Sequence, residues 1–406
     1  MRPDRDVTVE VSHRGKGCAM PTTQIVVIGG GYAGVLAANR VLQRADVDVA
    51  LVNPRPEFVE RIRLHQLVAG TDDAVADYAT VLSPRVRLIV DSADKIDADA
   101  RKILLASGSS LAYDHLIYAV GSTAAVPASV PGAAEFAYPL GELEAAHALA
   151  TRMAELAPSA PIVVVGGGLT GIEAAAEFAE SGRAVTVVTD TLGPSLAAGG
   201  RRSVAARLHK LGVGVLENAR VAAVTTDHVT LADGREVPAA VTVWTAGFGV
   251  PTLAANSGLA TDSLGRLVTD ETLTSVGHSS IVAAGDAAAP SALPLRMSCQ
   301  LAMPLAAQAA DTVLAHIEGR QPRVLNPASV GQCISLGRHA GTIQLSRFDD
   351  TAIGLHIGGR LAATIKESVC AGTLNFLAKE ARKPGGYFWP RGGKRAERLS
   401  ARPVHP

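Results

Sequence analysis

The sequence predicts an α/β protein: two domains that each open with a βαβ unit, followed by a small α+β segment. Two stretches carry this reading. IVVIGGGYAGVLAANRVL begins at Ile25, and IVVVGGGLTGIEAAAEFA begins at Ile162. Each passes from an apolar strand through a glycine cluster into a helix of small residues. Composition agrees: hydrophobic residues make up 48% and aromatic residues only 4%. That profile suits small-residue helices packed on buried parallel strands. A chain of 406 residues is also too long for one simple core, so two or three domains are expected.

Composition excludes several classes. The formal net charge is zero, so no general attraction to nucleic acid is expected. With 19% charged residues, the chain is too apolar to be disordered. Cys18, Cys299, Cys333 and Cys370 are scattered, with no CxxC pair. A disulfide framework, a metal site and a local redox dithiol are therefore not expected, and reduced thiols in a cytoplasmic protein are. No apolar run is long enough to span a bilayer. The first residues, MRPDRDVTVEVSHRGKGCAM, lack the apolar core of a signal peptide and read as a loose extension over 1–22, with Met20 a second candidate start.

In chain order, residues 24–29 read as a buried strand, 32–44 as a helix, and VDVALVN ending at Asn53 as the second strand. VRLIV (86–90), RKILLA (101–106) and YDHLIYAVG (113–121) read as strands. The Pro- and Ala-rich segment 122–139 reads as a crossing between domains. A helix is expected over 142–156, and a second βαβ unit from Ile162 to Asp190. Asp233–Gly234 marks a hairpin turn. SSIVAAGDAAA (279–289) is a strand entering a loop, followed by a helix near 304–318. From about residue 323 the pattern changes to short strands and a last helix reaching about Ala381.

The glycines give the repeat its chemistry. Gly29, Gly31 and Gly34 form GxGxxG, and Gly166, Gly168 and Gly171 form the second copy. The first glycine allows the tight turn, the second lets a pyrophosphate approach the backbone, and the third lets helix and strand pack closely. Phosphates then meet free N–H groups at the positive end of the helix. Two dinucleotide sites in one chain point to electron transfer between FAD and NADH or NADPH.

With these motifs the chain resembles the two-dinucleotide-binding-domain flavoproteins, the pyridine nucleotide-disulfide oxidoreductase superfamily. Within it, type II NADH:quinone dehydrogenases and apoptosis-inducing-factor-like NAD(P)H oxidoreductases are most similar. VVIGGGYAG, YDHLIYAVGS, VVVGGGLTGIE and IVAAGDAAA carry the resemblance, which runs from about Gln24 to Arg320. It implies two Rossmann-like dinucleotide-binding domains. A discontinuous FAD domain would cover 23–122 and 260–322, an inserted NAD(P) domain 140–258, and a C-terminal domain 323–406. It implies that Asp286 bonds the ribityl chain of FAD, that Gly285 and Gly121 allow close approach, and that Glu173 lies by the nicotinamide. Hydride would pass from NAD(P)H to flavin N5, and the electrons then to a quinone or quinone-like acceptor. A soluble reductase of a polar acceptor or electron-transfer protein, and a slow redox-sensing flavoprotein, are the alternatives.

Several residues depart from the pattern. Where a Rossmann unit usually carries a ribose-binding acid, the first copy has Asn53. In the second copy, aligning on the apolar run selects Thr189, which with Arg201 and Arg202 downstream would leave room for NADPH, and aligning on spacing selects Asp190, which would favour NADH. Glu60, Arg61, Arg63 and His65 occupy a segment expected to be apolar in a quinone dehydrogenase. They would pair with one another, touch the FAD phosphates (Arg61), or line a polar acceptor pocket. Gln308 resembles the family's acceptor-side glutamine and otherwise reads as a helix-surface amide. Lys366 and Glu367 either reach toward the flavin or form a surface ion pair. The basic, aromatic tail beyond Lys379 is either a peripheral contact with the inner face of a membrane or a solvated tail with its aromatics folded back. A homodimer through the C-terminal segment is a further expectation.

Overall fold

The computed structural model describes residues 22–401; the expected extension up to residue 21, with Cys18, lies outside the described residues. The strand Thr23–Ile28 pairs in parallel with Val47–Asn53 on one side and His115–Tyr118 on the other. Val86–Val90 and His278–Ala283 extend the sheet in parallel. The short strands Leu267–Thr269, Thr274–Ser275 and Ala288–Pro290 complete eight. Both faces of the central strands are covered, which is why they read as unbroken Val/Ile/Ala runs. The helix Tyr32–Arg40 is buried along its whole length. It packs on the helix Cys299–Ile317, which brings Ala306, Ala307, Ala309 and Ala310 into the same core. Small side chains on both helices let the backbones approach.

The second sheet repeats the arrangement. Pro161–Val165 lies between Ala184–Val188 and Val241–Trp244, with Gly214–Leu216 and Ala137–Pro139 at the edges, all parallel. The chain crosses between the two sheets twice. The crossings pair as a short antiparallel ribbon, Thr123–Ala124 against Phe248–Gly249. Gly234 has φ +85° in the hairpin joining His228–Leu231 to Glu236–Pro238, the turn that Asp233–Gly234 signals.

The C-terminal segment forms a three-stranded antiparallel sheet, Gly331–Ser335, Gly341–Ser346 and Ala352–Gly358, and then the helix Gly359–Arg382. Its sheet packs on the helix Ala198–Lys210 and its helix on Tyr32–Arg40, so the segment bridges both halves. The helix expected from residue 304 starts earlier, at Cys299, because Ser298 caps it by accepting from the Leu301 amide. Pro304 therefore lies inside the helix rather than at its start. In the tail, Tyr387 stacks on Trp389 with ring centroids 6.0 Å apart. The guanidinium groups of Arg40 and Arg391 lie 5.4 and 5.0 Å from the Trp389 ring. Phe388 is exposed. Among the described residues no helix is long and apolar enough to cross a membrane.

Arg40 ties three helical regions together. It pairs with Asp311 at 2.7 Å and with Glu380 at 3.2 Å, and donates to the Tyr387 carbonyl at 3.2 Å. Glu380 is fully buried and also accepts from the amides of Gly385 and Tyr387. Removing Arg40 strips a buried carboxylate of its counter-charge. Arg40→Ala is expected to lose about 3–5 kcal/mol in a denaturant melt; a loss below about 1 kcal/mol would show that the pair holds nothing together.

Candidate active site

Both glycine turns share one geometry. Gly29 and Gly166 have φ of +103° and +121°, and their amides bond the Val52 and Val188 carbonyls. A Cβ on Gly34 would lie 1.7 Å from the Gly29 carbonyl oxygen, and one on Gly171 2.0 Å from that of Gly166. A Cβ on Gly31 or Gly168 would meet nothing within 4 Å. So the first and third glycines of each copy are needed for the turn and the packing, while the second faces open space. Gly31 and Gly168 are also the N-caps of their helices, which have no side-chain cap and no acid in the first turn. Each turn thus presents unclaimed N–H groups beside room for a pyrophosphate, and both fit a dinucleotide.

Around the first turn the structure gathers several predicted residues. Arg61 donates through Nη1 to Ser122 Oγ at 2.7 Å, and Ser122 Oγ donates to Asp286 Oδ2 at 2.7 Å. Arg61 Nε also donates to the Gly141 carbonyl at 2.6 Å. Gly121 (φ +73°) and Gly285 (φ +70°) turn the chain on either side of this line. Asn53 is committed to the protein's own backbone: Oδ1 accepts from the Gly30 amide at 3.0 Å and Nδ2 donates to the Arg55 carbonyl at 2.8 Å. Tyr78 completes this packing by donating to the Gly30 carbonyl at 2.8 Å.

At the second turn the register corrects the expectation for Asp190. Val188 bonds Gly166 as Val52 bonds Gly29, so Thr189 is the counterpart of Asn53. It packs against Gly167 as Asn53 packs against Gly30. Asp190 lies one residue beyond and is exposed. The second connection is one residue shorter, so spacing alone points past the strand end.

Glu173 lies beyond the first helical turn and is buried. Its Oε1 accepts from the Ser335 amide at 2.9 Å and lies 2.9 Å from Lys366 Nζ. Lys366 is therefore no free surface residue: it reaches from the C-terminal helix to the second nucleotide domain, and its side chain keeps 13% exposure. Glu367, the other half of the expected surface pair, instead meets Arg63 at 2.6 Å and Arg338 at 3.6 Å. Burial alone would raise the Glu173 carboxyl and lower the Lys366 ammonium. Their mutual attraction reverses both, so the pair is ionised at neutral pH. Cys299, Cys333 and Cys370 are free. Burial pushes all three thiols up, and all three feel Lys366 and Glu173.

Gln308 is not the helix-surface amide of one expectation. It is buried, and its Nε2 donates to the Arg323 carbonyl at 2.9 Å, anchoring the chain that leaves the helix. Ser335 and Ser122 are further polar members of the site. Ser122 stood inside a recognisable motif; Ser335, reached only through the fold, carried no local signal.

His65 is buried with Nε2 unpartnered. Burial, with Lys366 nearby opposing Glu173, lowers its pKa to about 4. A folded pKa below the unfolded value of 6.5 means the unfolded chain takes up the proton first. Stability is therefore complete above about pH 6.5 and falls as pH drops toward about 4, by up to ~3 kcal/mol. In denaturant melts at pH 7 and pH 5, His65→Gln should reduce the acid-side loss by about 2 kcal/mol. An unchanged difference would show that His65 does not titrate in this way.

The comparisons with known proteins follow this geometry. The family model "Pyridine nucleotide-disulphide oxidoreductase" matches residues 23–312. An NADH dehydrogenase-like protein of Mycobacterium tuberculosis (strain ATCC 25618 / H37Rv) is 34% identical over 324 residues, covering 72% of this chain and 80% of the relative. A demethylphylloquinone reductase of Synechocystis sp. is 28% identical over 297 residues, covering 65% of this chain and 72% of that protein. Among solved structures, the sulfide:quinone oxidoreductase of Aquifex aeolicus superposes with a TM-score of 0.77 at 20% identity, covering 90% and 93% of the two chains. The chain belongs to the pyridine nucleotide-disulphide oxidoreductase family and is an FAD-dependent oxidoreductase of a nicotinamide nucleotide.

Proposed function

We propose that the protein is an NADH dehydrogenase that reduces a quinone. The observation that carries this reading is the pair of matched glycine turns, with the Glu173–Lys366 ion pair tying the helix of the second turn to the C-terminal helix. The names of the mycobacterial and cyanobacterial relatives support it. Overall, one NADH, one quinone and one proton give NAD⁺ and a hydroquinone, so electrons and protons balance.

The first turn would hold FAD, with Gly31 at the pyrophosphate and the Arg61–Ser122–Asp286 line beside the chain joining it to the ring. Bound there, a flavin supplies an acceptor of two electrons that can release them singly or together. The second turn would hold the nicotinamide nucleotide, with Gly168 at its pyrophosphate. The protein's own contribution is positioning and exclusion of water. Glu173, fixed by Ser335 and Lys366, cannot swing into the path of a ligand without breaking an ion pair. Lys366 stays protonated through neutral pH, so it keeps Glu173 charged and fixed in place. A peripheral membrane contact through Phe388 and the basic tail, and a homodimer, belong to the same reading.

Thr189 brings no negative charge to the ribose, so exposed Asp190 is left as the acid that disfavours a 2′-phosphate. In stopped-flow mixing of the flavin-loaded protein, NADH should bleach the flavin and a short-chain quinone should restore the colour. NADH should outperform NADPH, and Thr189→Asp should widen that preference by about tenfold in kcat/KM. A flavin that neither nucleotide bleaches would overturn the proposed function. An unchanged preference in the variant would overturn the register assignment.

A further inference from the structure

A cleft of about 640 Å³ opens onto Lys366 between residues 63–72, the turn at Ser335–His339 and the C-terminal helix. Its wall includes none of the glycines of either turn, so it is a third space beside the two cradles. Its wall residue Arg63 lies two positions beyond Arg61, whose line through Ser122 to Asp286 flanks the first cradle.

The chemistry of the wall is unusual for a small-molecule pocket, which is ordinarily mostly apolar. Among the described residues it carries no aliphatic side chain larger than Ala363. Its charges are Arg63, Arg338, Arg360 and Lys366 against Asp72 and Glu367. Most are matched: Lys366 by Glu173, Arg338 by Glu177 at 3.0 Å, and Arg63 by Glu367 at 2.6 Å and Asp72 at 3.4 Å. Arg360 has no ion pair among the described residues and is exposed at the rim. The cleft is thus lined with hydrogen-bonding groups and has one uncompensated positive charge at its mouth.

We propose that this cleft is the docking site of the second substrate, and that this substrate is a quinone bearing an anionic substituent, whose charge lies against Arg360 while its ring reaches toward Lys366. The inference rests on the quinone-reductase reading and narrows its acceptor class. A purely hydrocarbon-tailed quinone would have to strip water from Arg63, Arg338 and the neighbouring hydroxyls with nothing in return.

The test compares 1,2-naphthoquinone-4-sulfonate with 1,4-naphthoquinone as acceptors for the flavin-loaded protein. The ratio of their kcat/KM values should fall about tenfold in Arg360→Gln and stay within about threefold of the original in Arg360→Lys. Added salt should raise KM for the sulfonate more than for the uncharged quinone, because the Arg360 charge is screened. Titrating the sulfonate into oxidised protein without nucleotide, followed by calorimetry, gives a Kd that needs no turnover. It should weaken about tenfold in Arg360→Gln. A Kd and a ratio both indifferent to Arg360 overturn the inference while leaving nucleotide-driven bleaching of the flavin intact. Arg360-dependent binding without bleaching sustains the docking site and removes the reductase reading.

Discussion

The architecture depends on the largely buried ion pair between Glu173 and Lys366, whose side chains are 11% and 13% exposed. Taking a carboxylate and an ammonium out of water is costly, and neither would remain charged alone. At 2.9 Å, with Ser335 adding an amide hydrogen bond, each offsets the desolvation of the other. The two residues come from separate regions, the helix after the second glycine turn and the C-terminal helix. Their pairing therefore joins the nucleotide domain to the segment that closes the site. His65 stays neutral under the same burial, and the three thiols stay protonated around the same charges.

A second constraint is steric. The glycine turns bring a helix so close to the preceding strand that Gly34 and Gly171 leave no room for a methyl group. The alanines at the contact of the helices Tyr32–Arg40 and Cys299–Ile317 continue that close packing into the core. The same turns leave Gly31 and Gly168 facing open space, so the tightness of the fold and the room for a phosphate have one cause. Arg40 then carries the connection to the C-terminal helix through Asp311 and Glu380.

How much of this could be read in the sequence depended on how local the cause was. Both βαβ units, the Asp233–Gly234 hairpin and the long helix Gly359–Arg382 arise from neighbouring residues, and so were legible, whereas the short helix Arg395–Ser400 beyond it was not. Glycines also declare their role locally, because a positive φ or a missing Cβ is a property of one position. Thr189 was harder, since only the bond from the Gly166 amide to the Val188 carbonyl fixes the strand end. Ser298 moved the start of a helix by capping it upstream of Pro304, the proline near which the helix was expected to begin. Lys366 was the largest reversal. On its own helix it looks like half of an exposed pair with Glu367, and its burial follows from a partner almost two hundred positions earlier. Gln308 is buried rather than a surface amide for a similar reason: the Arg323 carbonyl that claims its amide is positioned by tertiary structure. The segment around Arg63 was legible as polar, but the cleft it lines needs the C-terminal helix to exist.

The most direct test of the central claim is a double-mutant cycle in denaturant melts of Glu173→Gln, Lys366→Met and the two together. If the pair is mutually compensating, each single variant should lose about 3–5 kcal/mol. The double variant should lose much less than the sum, because no orphaned charge remains. Losses that simply add, within about 0.5 kcal/mol, would contradict the account and leave the two charges as independent neighbours.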